Sequence, residues 1–274
     1  MSSSSTKLNL AAKSSWLAYE LRSPATNPYP PIVCPVYLIM KETAIRYNII
    51  GDIHGRTCWK YLVREDCVNI FVGDYFDPYE YIRPEEQITN LQEILAYKRQ
   101  YPQTVLLYGN HDLHYLLPDE HYSRYDYFAA NRYWQMFRKA DSLFDGIAYP
   151  IAETALVTHA GVTKEWYEKY IGPYRSEPLA EVAELINQLW RSDKTAFLFE
   201  PNATDWQDCY GTSPTHSPVW IRPWVLREHD LFAGTTVKQI FGHSQTEAGI
   251  MTDRNLVCVD CLGTKETSYV LDTL

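Results

Sequence analysis

The chain has 274 residues, of which 46% are hydrophobic, 22% charged and 14% aromatic. This length and composition are typical of one large globular domain, with or without elaborations, and exclude an intrinsically disordered chain. The formal net charge of −9 disfavours nucleic acids and anionic membranes as partners. An anionic small substrate stays possible, because bound metal ions can reverse the field locally.

The six cysteines are scattered, which indicates reduced thiols rather than a disulfide framework. The start of the chain lacks an apolar core of signal-peptide length, and the apolar run at residues 31–40 is too short to span a membrane. We therefore expect a soluble, cytoplasmic protein. Cys258-Val259-Asp260-Cys261 is a lone CxxC pattern in a predicted strand, where residues three apart point to opposite faces. Binding of one metal ion by both cysteines, or a disulfide between them, is therefore disfavoured.

Residues 1–43 are Ser-rich and then turn-rich, and predict an N-terminal arm that is partly extended or disordered. The main domain is expected at residues 44–274. Its first part alternates between strands and helices, with strands predicted at 44–50, 68–72 and 104–108 and helices at 56–65 and 84–99. This order predicts an α/β fold with parallel strands, whose carboxyl ends usually carry the ligand chemistry.

The second part of the chain is less regular. The aromatic-rich residues 122–144 predict a helix, and the region around 113–150 is expected to form a helical cap over the site. Further strands are predicted at 155–158, 237–241, 256–259 and 268–271, and further helices at 163–170 and 178–191. Residues 193–230 contain four prolines and are expected to be irregular.

Polar residues follow five of the predicted strands, next to small residues. Three of these motifs are Gly51-Asp52-Ile53-His54-Gly55, Gly73-Asp74-Tyr75-Phe76-Asp77 and Gly109-Asn110-His111-Asp112. His159 follows a fourth apolar run, and His243 follows Gly242 after a fifth. Since the carboxyl ends of parallel strands meet at one edge of a sheet, these side chains could converge on a single site.

The residue types in these motifs suit a site for two divalent metal ions. Asp52 and His54 could bind one ion, and Asp74 could bridge both. The second ion could be completed by Asn110, His159 and His243. Oxygen and nitrogen ligands without thiolate favour Mn, Fe or Zn over a cysteine-rich zinc site.

Two such ions would clamp a phosphate and generate a hydroxide that attacks phosphorus at neutral pH. His111, next to a predicted ligand, could donate a proton to the departing oxygen, and Asp77 could orient its imidazole. Taken singly, Asp52 or Asp74 would be interpreted as a turn or cap residue. The ordered combination of motifs favours the metal site. We interpret the remaining histidines as surface or hydrogen-bonding residues: His114, His121, His216 and His229.

The motifs resemble those of the calcineurin-like metallophosphoesterase superfamily, over residues 44 to about 262. They are most similar to the phosphoprotein phosphatase branch, which includes bacterial diadenosine tetraphosphatase-like enzymes. Gln245 stands where many other members carry a second histidine, as in that branch. The resemblance implies a four-layer α/β/β/α sandwich of two mixed sheets. It also implies the same metal ligands, with His111 as the acid and Asp77 as its partner.

The chain departs from the branch after Asp77, where Pro78-Tyr79 replaces the Arg-Gly that usually follows and so removes a phosphate-binding arginine. Arg222 resembles the second phosphate-binding arginine of the branch, and a guanidinium suits bidentate phosphate contact. Its alternative interpretation is an exposed basic residue in a loop. Arg56, directly after the first motif, is a further candidate for binding substrate phosphate.

We therefore expect a phosphomonoesterase of the Ser/Thr protein phosphatase type, whose partner is a phosphorylated protein. One alternative is hydrolysis of dinucleoside polyphosphates or similar nucleotides, whose bases could stack on aromatic side chains in the regions 113–150 and 193–235. The candidates for stacking are Trp134, Tyr127, Phe128, Trp206, Trp220 and Trp224, although packing in the core would also explain them. Another alternative is a phosphate-binding protein without catalytic activity.

Overall fold

The computed structural model describes residues 44–117, 121–199 and 211–273. The strands are β1 Arg46–Ile50, β2 Val68–Phe71, β3 Val105–Leu106, β4 Ala148–Ile151, β5 Ala155–Thr158, β6 Lys238–Phe241, β7 Met251–Asp253, β8 Leu256–Cys258 and β9 Tyr269–Asp272. The α-helices are α1 Trp59–Leu62, α2 Pro84–Gln100, α3 Asn110–Leu116, α4 Ala130–Ala140, α5 Lys164–Tyr170, α6 Leu179–Ser192 and α7 Pro223–His229. The predicted N-terminal arm lies outside the described residues.

The described strands form two mixed sheets, as predicted. The four-stranded sheet has the order β3-β2-β1-β9, and the five-stranded sheet has the order β4-β5-β6-β8-β7. In the first sheet β1, β2 and β3 are parallel and β9 is antiparallel. In the second, β5, β6 and β8 are parallel, and β4 and β7 are antiparallel at the edges. Each sheet therefore contributes three parallel strands with a common carboxyl edge.

A core of side chains joins the two sheets. Alternate residues of β1 point to opposite faces, so Tyr47 and Ile49 belong to this inner core while Ile50 packs on the outer side. The second sheet contributes Val157 and Ile240 to the same inner core. Each fully buried aliphatic side chain contributes roughly 1.5–3 kcal/mol, so this layer fixes the pairing of the sheets. The helices cover the outer faces, which completes the predicted four-layer sandwich.

Helix α2 begins at the predicted residue and ends one residue later than predicted. Pro84 occupies the first helical position, where a missing N–H is harmless. The backbone N–H of Arg83 donates to the Glu86 carboxylate at 3.1 Å and anchors the first turn. Leu91 and Leu95 lie on the buried face that packs against the first sheet.

Two predicted helices are longer than the observed ones. The helix predicted at 56–65 is reduced to α1, because the Asn69 side chain binds both backbone groups of Arg64, at 3.0 Å to N–H and 2.8 Å to C=O. The helix predicted at 122–144 begins only at Ala130. Arg124 has a φ of 68°, which interrupts a right-handed helix, and the residues before α4 form a loop.

Helix α3 and strands β4 and β7 were not predicted. The Asp112 carboxylate accepts the N–H of Gly109 at 2.8 Å, so the Gly-Asn-His-Asp motif also starts a helix. The part of the chain predicted to be irregular contains α7.

None of the helices in the described ranges has the length and apolar character needed to cross a bilayer.

Candidate active site

The polar motifs of the sequence meet where the parallel strands of both sheets end. Asp52 and His54 follow β1, Asp74 follows β2, and Asn110 follows β3. His159 follows β5 directly. His243 comes two residues after β6. All of these residues except the fully buried His159 line one cavity of about 150 Å³. One water occupies about 30 Å³ of liquid, so this volume is several times that of a water and has room for a phosphate-sized group.

The Asp74 carboxylate lies at the centre of this group. Its Oδ2 atom is 3.6 Å from His54 Nε2 and 3.4 Å from His159 Nε2. Its Oδ1 atom accepts the backbone N–H of His111 at 2.8 Å, which fixes the carboxylate plane. One carboxylate oxygen therefore faces imidazoles that come from different sheets.

Asn110 provides the second point of convergence. Its Oδ1 atom lies 2.9 Å from His159 Nε2 and 2.8 Å from His243 Nδ1. The other ring nitrogens of these histidines lie 2.9 Å from the Val72 carbonyl and 3.1 Å from the Trp220 carbonyl. If these rings bind a cation in their neutral form and donate to the carbonyls, their other nitrogens direct lone pairs toward Asn110, where a cation could be held.

His54, in the first motif, also has one ring nitrogen next to a backbone carbonyl. His54 Nδ1 lies 2.8 Å from the Phe76 carbonyl, which leaves Nε2 as the ligating atom. Potential ligand atoms of Asp52, His54 and Asp74 lie within 4.8 Å of one another. The donor set, the buried position and the carbonyl partners of all three ring systems fit divalent cations with oxygen and nitrogen ligands.

Buried charge in the cavity also favours cations. Burial and the neighbouring Asp260 carboxylate raise the pKa of Asp52 well above its usual range. Burial opposes protonation of His159, but the Asp74 and Asp52 carboxylates raise its pKa to about 10. Burial likewise opposes ionisation of Asp74, but the imidazoles of His159 and His111 hold its pKa well below the usual value. The carboxylates thus attract positive charge into the cavity.

Several site residues have a backbone conformation that non-glycine residues rarely adopt. The φ angles are 44° at His54, 54° at Asp74, 60° at Asp77 and 66° at His243. Such residues cost about 1–3 kcal/mol each and persist where surrounding structure holds them. These four are half of the eight described non-glycine residues with a positive φ, and they lie in the loops that carry the candidate site residues.

His111 lies beside the metal-ligand candidates and contacts Asp77. Its Nδ1 atom is 3.0 Å from Asp77 Oδ2, so its remaining nitrogen is Nε2. Burial opposes protonation, but the Asp74 and Asp77 carboxylates raise the pKa of His111. His114, interpreted from the sequence as a surface or hydrogen-bonding residue, is fully buried, and its Nε2 lies 2.6 Å from the same Asp77 oxygen. Asp77, His111 and His114 are thus joined by hydrogen bonds.

The two arginine candidates have different surroundings. Arg222 lines the cavity, and its Nη1 donates to the His243 carbonyl at 3.1 Å and to Ser244 Oγ at 3.2 Å. Arg56 makes two hydrogen bonds to the Glu80 carboxylate, at 2.7 and 2.9 Å, and lines a neighbouring cavity instead. Arg222 is therefore the better placed of the two for contact with substrate.

Sequence reasoning missed several residues of this cavity. Asp260 follows β8, the sixth parallel strand, and lines the cavity, so the pattern of apolar strand followed by aspartate was present but was hidden by the CxxC motif. The four described cysteines are free and buried.

Aromatic side chains form part of the wall of the cavity: Tyr79, Tyr122 and Trp220. Of the other stacking candidates, Trp134, Tyr127, Phe128 and Trp224 are not among its lining residues, and Trp206 lies outside the described residues.

Asp112 has a structural task in the site. Its carboxylate accepts the N–H groups of Gly109 and Asp74 at 2.8 Å and that of Tyr75 at 2.9 Å. It therefore joins the loop after β2 to the start of α3. Burial and the Asp74 carboxylate raise the pKa of Asp112 to about 7, against the effect of these three donors.

We expect Asp112→Ala to lower the free energy of unfolding by about 3 kcal/mol or more, because three buried N–H groups lose their acceptor. Urea unfolding of the metal-free protein measures the loss. Asp193→Ala is a suitable control, since Asp193 accepts one N–H at the exposed start of a short helix and should cost about 1 kcal/mol. Equal losses in the two variants would contradict this anchoring role.

Comparison with known proteins gives the family. The family model described as calcineurin-like phosphoesterase matches residues 45–246, which include all the metal-ligand candidates. The chain belongs to the calcineurin-like phosphoesterase family. The protein is therefore a metallophosphoesterase, a hydrolase, and the resemblance to the calcineurin-like superfamily is confirmed.

One solved structure similar to this phosphoesterase is described as a protein serine/threonine phosphatase from Saccharomyces cerevisiae with similarity to human phosphatase PP5. It is 16% identical, with a TM-score of 0.45, and the match covers 83% of this chain and 79% of that chain. No curated protein matched the sequence.

Proposed function

We propose that this phosphoesterase is a dinuclear phosphomonoesterase that acts on phosphoserine or phosphothreonine in proteins. The observation that carries the proposal is the position of Asp74 Oδ2, which lies 3.6 Å from His54 Nε2 and 3.4 Å from His159 Nε2. A carboxylate shared in this way suits two ions rather than one.

We assign one ion to Asp52, His54 and Asp74. The second ion would share Asp74 and would be completed by Asn110, His159 and His243. The oxygen and nitrogen donors favour Mn, Fe or Zn. When bound, such ions neutralise phosphate charge and lower the pKa of water enough to supply a hydroxide nucleophile at neutral pH.

The chain's own residues would orient the substrate and supply a proton. Arg222 would contact the phosphate oxygens, held in place by its hydrogen bonds to the His243 carbonyl and Ser244. His111, with Nδ1 bound to Asp77, would use Nε2 to donate a proton to the departing serine or threonine oxygen. Asp77 would keep the ring in the orientation that this step needs. Arg56, paired with Glu80, would reach substrate only after leaving that carboxylate.

Metal analysis combined with a substrate panel tests this proposal. We expect about two metal ions per chain and turnover of a phosphoserine peptide. His111→Asn should lower kcat for this peptide by roughly 10²–10⁴-fold, because proton donation is lost. Asp52→Asn should lower both metal content and activity. A fully metal-loaded wild-type protein that turns over no phosphoester would instead support a phosphate-binding protein without catalysis.

Hydrolysis of dinucleoside polyphosphates is the second candidate, favoured by the aromatic wall of the cavity. Tyr79, Tyr122 and Trp220 line it next to the metal-ligand candidates, and stacking of a base on such side chains contributes roughly 1–3 kcal/mol. Diadenosine tetraphosphate in the same panel distinguishes the candidates. A kcat/KM that is higher for this nucleotide than for phosphopeptides would favour the second one.

A further inference from the structure

The Asp77 carboxylate contacts other groups in addition to His111, the histidine that it would orient. Its Oδ2 atom lies within hydrogen-bond distance of both His111 Nδ1 and His114 Nε2, the latter at 2.6 Å. Its Oδ1 atom accepts a hydrogen bond from the Tyr115 hydroxyl at 2.5 Å. Its backbone N–H donates to Gln87 Oε1 at 3.2 Å. The carboxylate is buried and lies in a loop with a φ of 60° at this residue. Both oxygens and the backbone of Asp77 are therefore fixed.

Helix α3 presents all three donors on one face. His111, His114 and Tyr115 are spaced i, i+3 and i+4, so their side chains lie one above another along the helix. Asp112, on another face of the first turn, binds the N–H of Gly109 and fixes the start of the helix. A single rigid element therefore carries both the proposed acid and the groups that hold its partner.

The donor at His114 has a defined tautomer. Its Nε2 faces a carboxylate and so carries the proton, while its buried Nδ1 has no hydrogen-bond partner among the described residues. The ring is therefore a neutral donor to Asp77. A side chain that cannot donate at this point would leave the Asp77 oxygen with one bond fewer.

Tyr115 also connects Asp77 to the loop at residues 121–129. Its hydroxyl accepts the backbone N–H of Asp126 at 3.1 Å, and its ring stacks on Tyr125 with centroids 5.1 Å apart. The same loop contributes Tyr122 and Ser123 to the cavity wall. The group that holds Asp77 is thus shared with a segment that would face the substrate.

We propose that His114 and Tyr115 are positioning residues that hold Asp77 against His111 and so align the imidazole for proton donation. This inference rests on the proposed function, in which His111 protonates the departing oxygen. Hydrogen bonds to an ionised carboxylate are about twice as strong as neutral ones, so the loss of one leaves Asp77 freer to turn away from His111. The loss should affect the step in which the proton is transferred and leave phosphate binding intact.

The experiment compares two leaving groups in four variants. Tyr115→Phe and His114→Leu each remove one donor, His114→Gln keeps an N–H donor at a similar reach, and Tyr133→Phe is the control. Tyr133 is a buried tyrosine whose hydroxyl has no hydrogen-bond partner among the described residues. The substrates are p-nitrophenyl phosphate, whose leaving group needs no proton, and a phosphoserine peptide, whose alkoxide does.

For Tyr115→Phe and His114→Leu we expect kcat on the phosphoserine peptide to fall by roughly 10–100-fold, as for other orienting partners. On p-nitrophenyl phosphate kcat should fall by less than about threefold. His114→Gln should recover most of the loss. Tyr133→Phe should behave as the wild type on both substrates.

A second readout needs neither metal nor turnover. The imidazole N–H of His111, bonded to a buried carboxylate, should give a downfield proton resonance in the metal-free protein. We expect this resonance to shift or broaden in Tyr115→Phe and His114→Leu and to persist in Tyr133→Phe. A variant that fails to fold would be recognised from its amide spectrum, and the milder Tyr115→Phe then decides the outcome.

The possible outcomes separate this inference from the proposed function. An active wild type whose Tyr115→Phe and His114→Leu variants lose equal activity on both substrates, with an unchanged His111 resonance, would overturn the positioning role alone. A wild type inactive on both substrates would overturn the proposed function and this role with it. Selective loss on the phosphoserine peptide, with an altered resonance, supports both.

Discussion

Asp74→Asn is expected to remove metal binding and to lower kcat on the order of 10³-fold, or about 4 kcal/mol of transition-state stabilisation. The amide oxygen can keep the place of Oδ1, which accepts the His111 N–H at 2.8 Å. The NH₂ group would then replace Oδ2, which faces His54 and His159. An NH₂ group cannot bind a cation, so the shared ligand is lost while the shape of the loop is kept. Elemental analysis and kinetics on a phosphomonoester measure the two effects.

Asp272→Asn is the matched control for this variant. Asp272 is an exposed partner of Arg46 on β9, far from the cavity in the fold, and an exposed ion pair contributes about 0–1 kcal/mol. We expect this control to keep its metal content and its activity. Full metal occupancy in Asp74→Asn would contradict the bridging assignment, whatever its activity.

Gly109→Ala is the second change with a large expected effect. A Cβ atom at this position would lie 2.2 Å from Asp74 Oδ1 and 2.7 Å from His159 Cε1. Neither group can move away freely, because both are buried and are held by hydrogen bonds. Overpacking of this kind costs roughly 1–3 kcal/mol and would displace both side chains. We expect a lower melting temperature and the loss of metal-dependent activity.

Gly234→Ala separates crowding from backbone strain. Gly234 has a φ of +80°, and a methyl group there would meet no atom within 4 Å. This control carries more conformational strain than Gly109→Ala but no clash, so it should lose stability and keep its activity per folded molecule. Wild-type activity in Gly109→Ala would show that the loop after β3 can move away from Asp74.

The regular elements were predictable where local rules act alone. Helix α2 has a proline at its first position, acidic residues in its first turn and an apolar stripe, and its predicted and observed bounds differ by one residue. Helix α1 was overpredicted because its end depends on Asn69, a residue of β2 whose side chain binds the backbone of Arg64. No periodicity within residues 56–65 carries that information.

The site shows the same division. The metal-ligand candidates were found because Asp, His and Asn recur next to small residues at strand ends, a pattern local to each motif. His114 was not distinguished from the other histidines, since its contact with Asp77 joins residues 37 positions apart. Arg56 was a candidate because it follows the first motif, whereas its pairing with Glu80 depends on the path of a loop 24 residues away.

By itself the sequence determined the α/β class, the family motifs and the identity of the groups available to bind cations, because these follow from composition and short-range order. The tertiary structure decided which of those groups meet. It brought strand ends from two sheets to one cavity, added Asp260 from the sixth parallel strand, and placed His114 and Tyr115 on Asp77. The physical reason is that sheet packing and helix register bring together residues far apart in the chain, and no local pattern specifies these contacts.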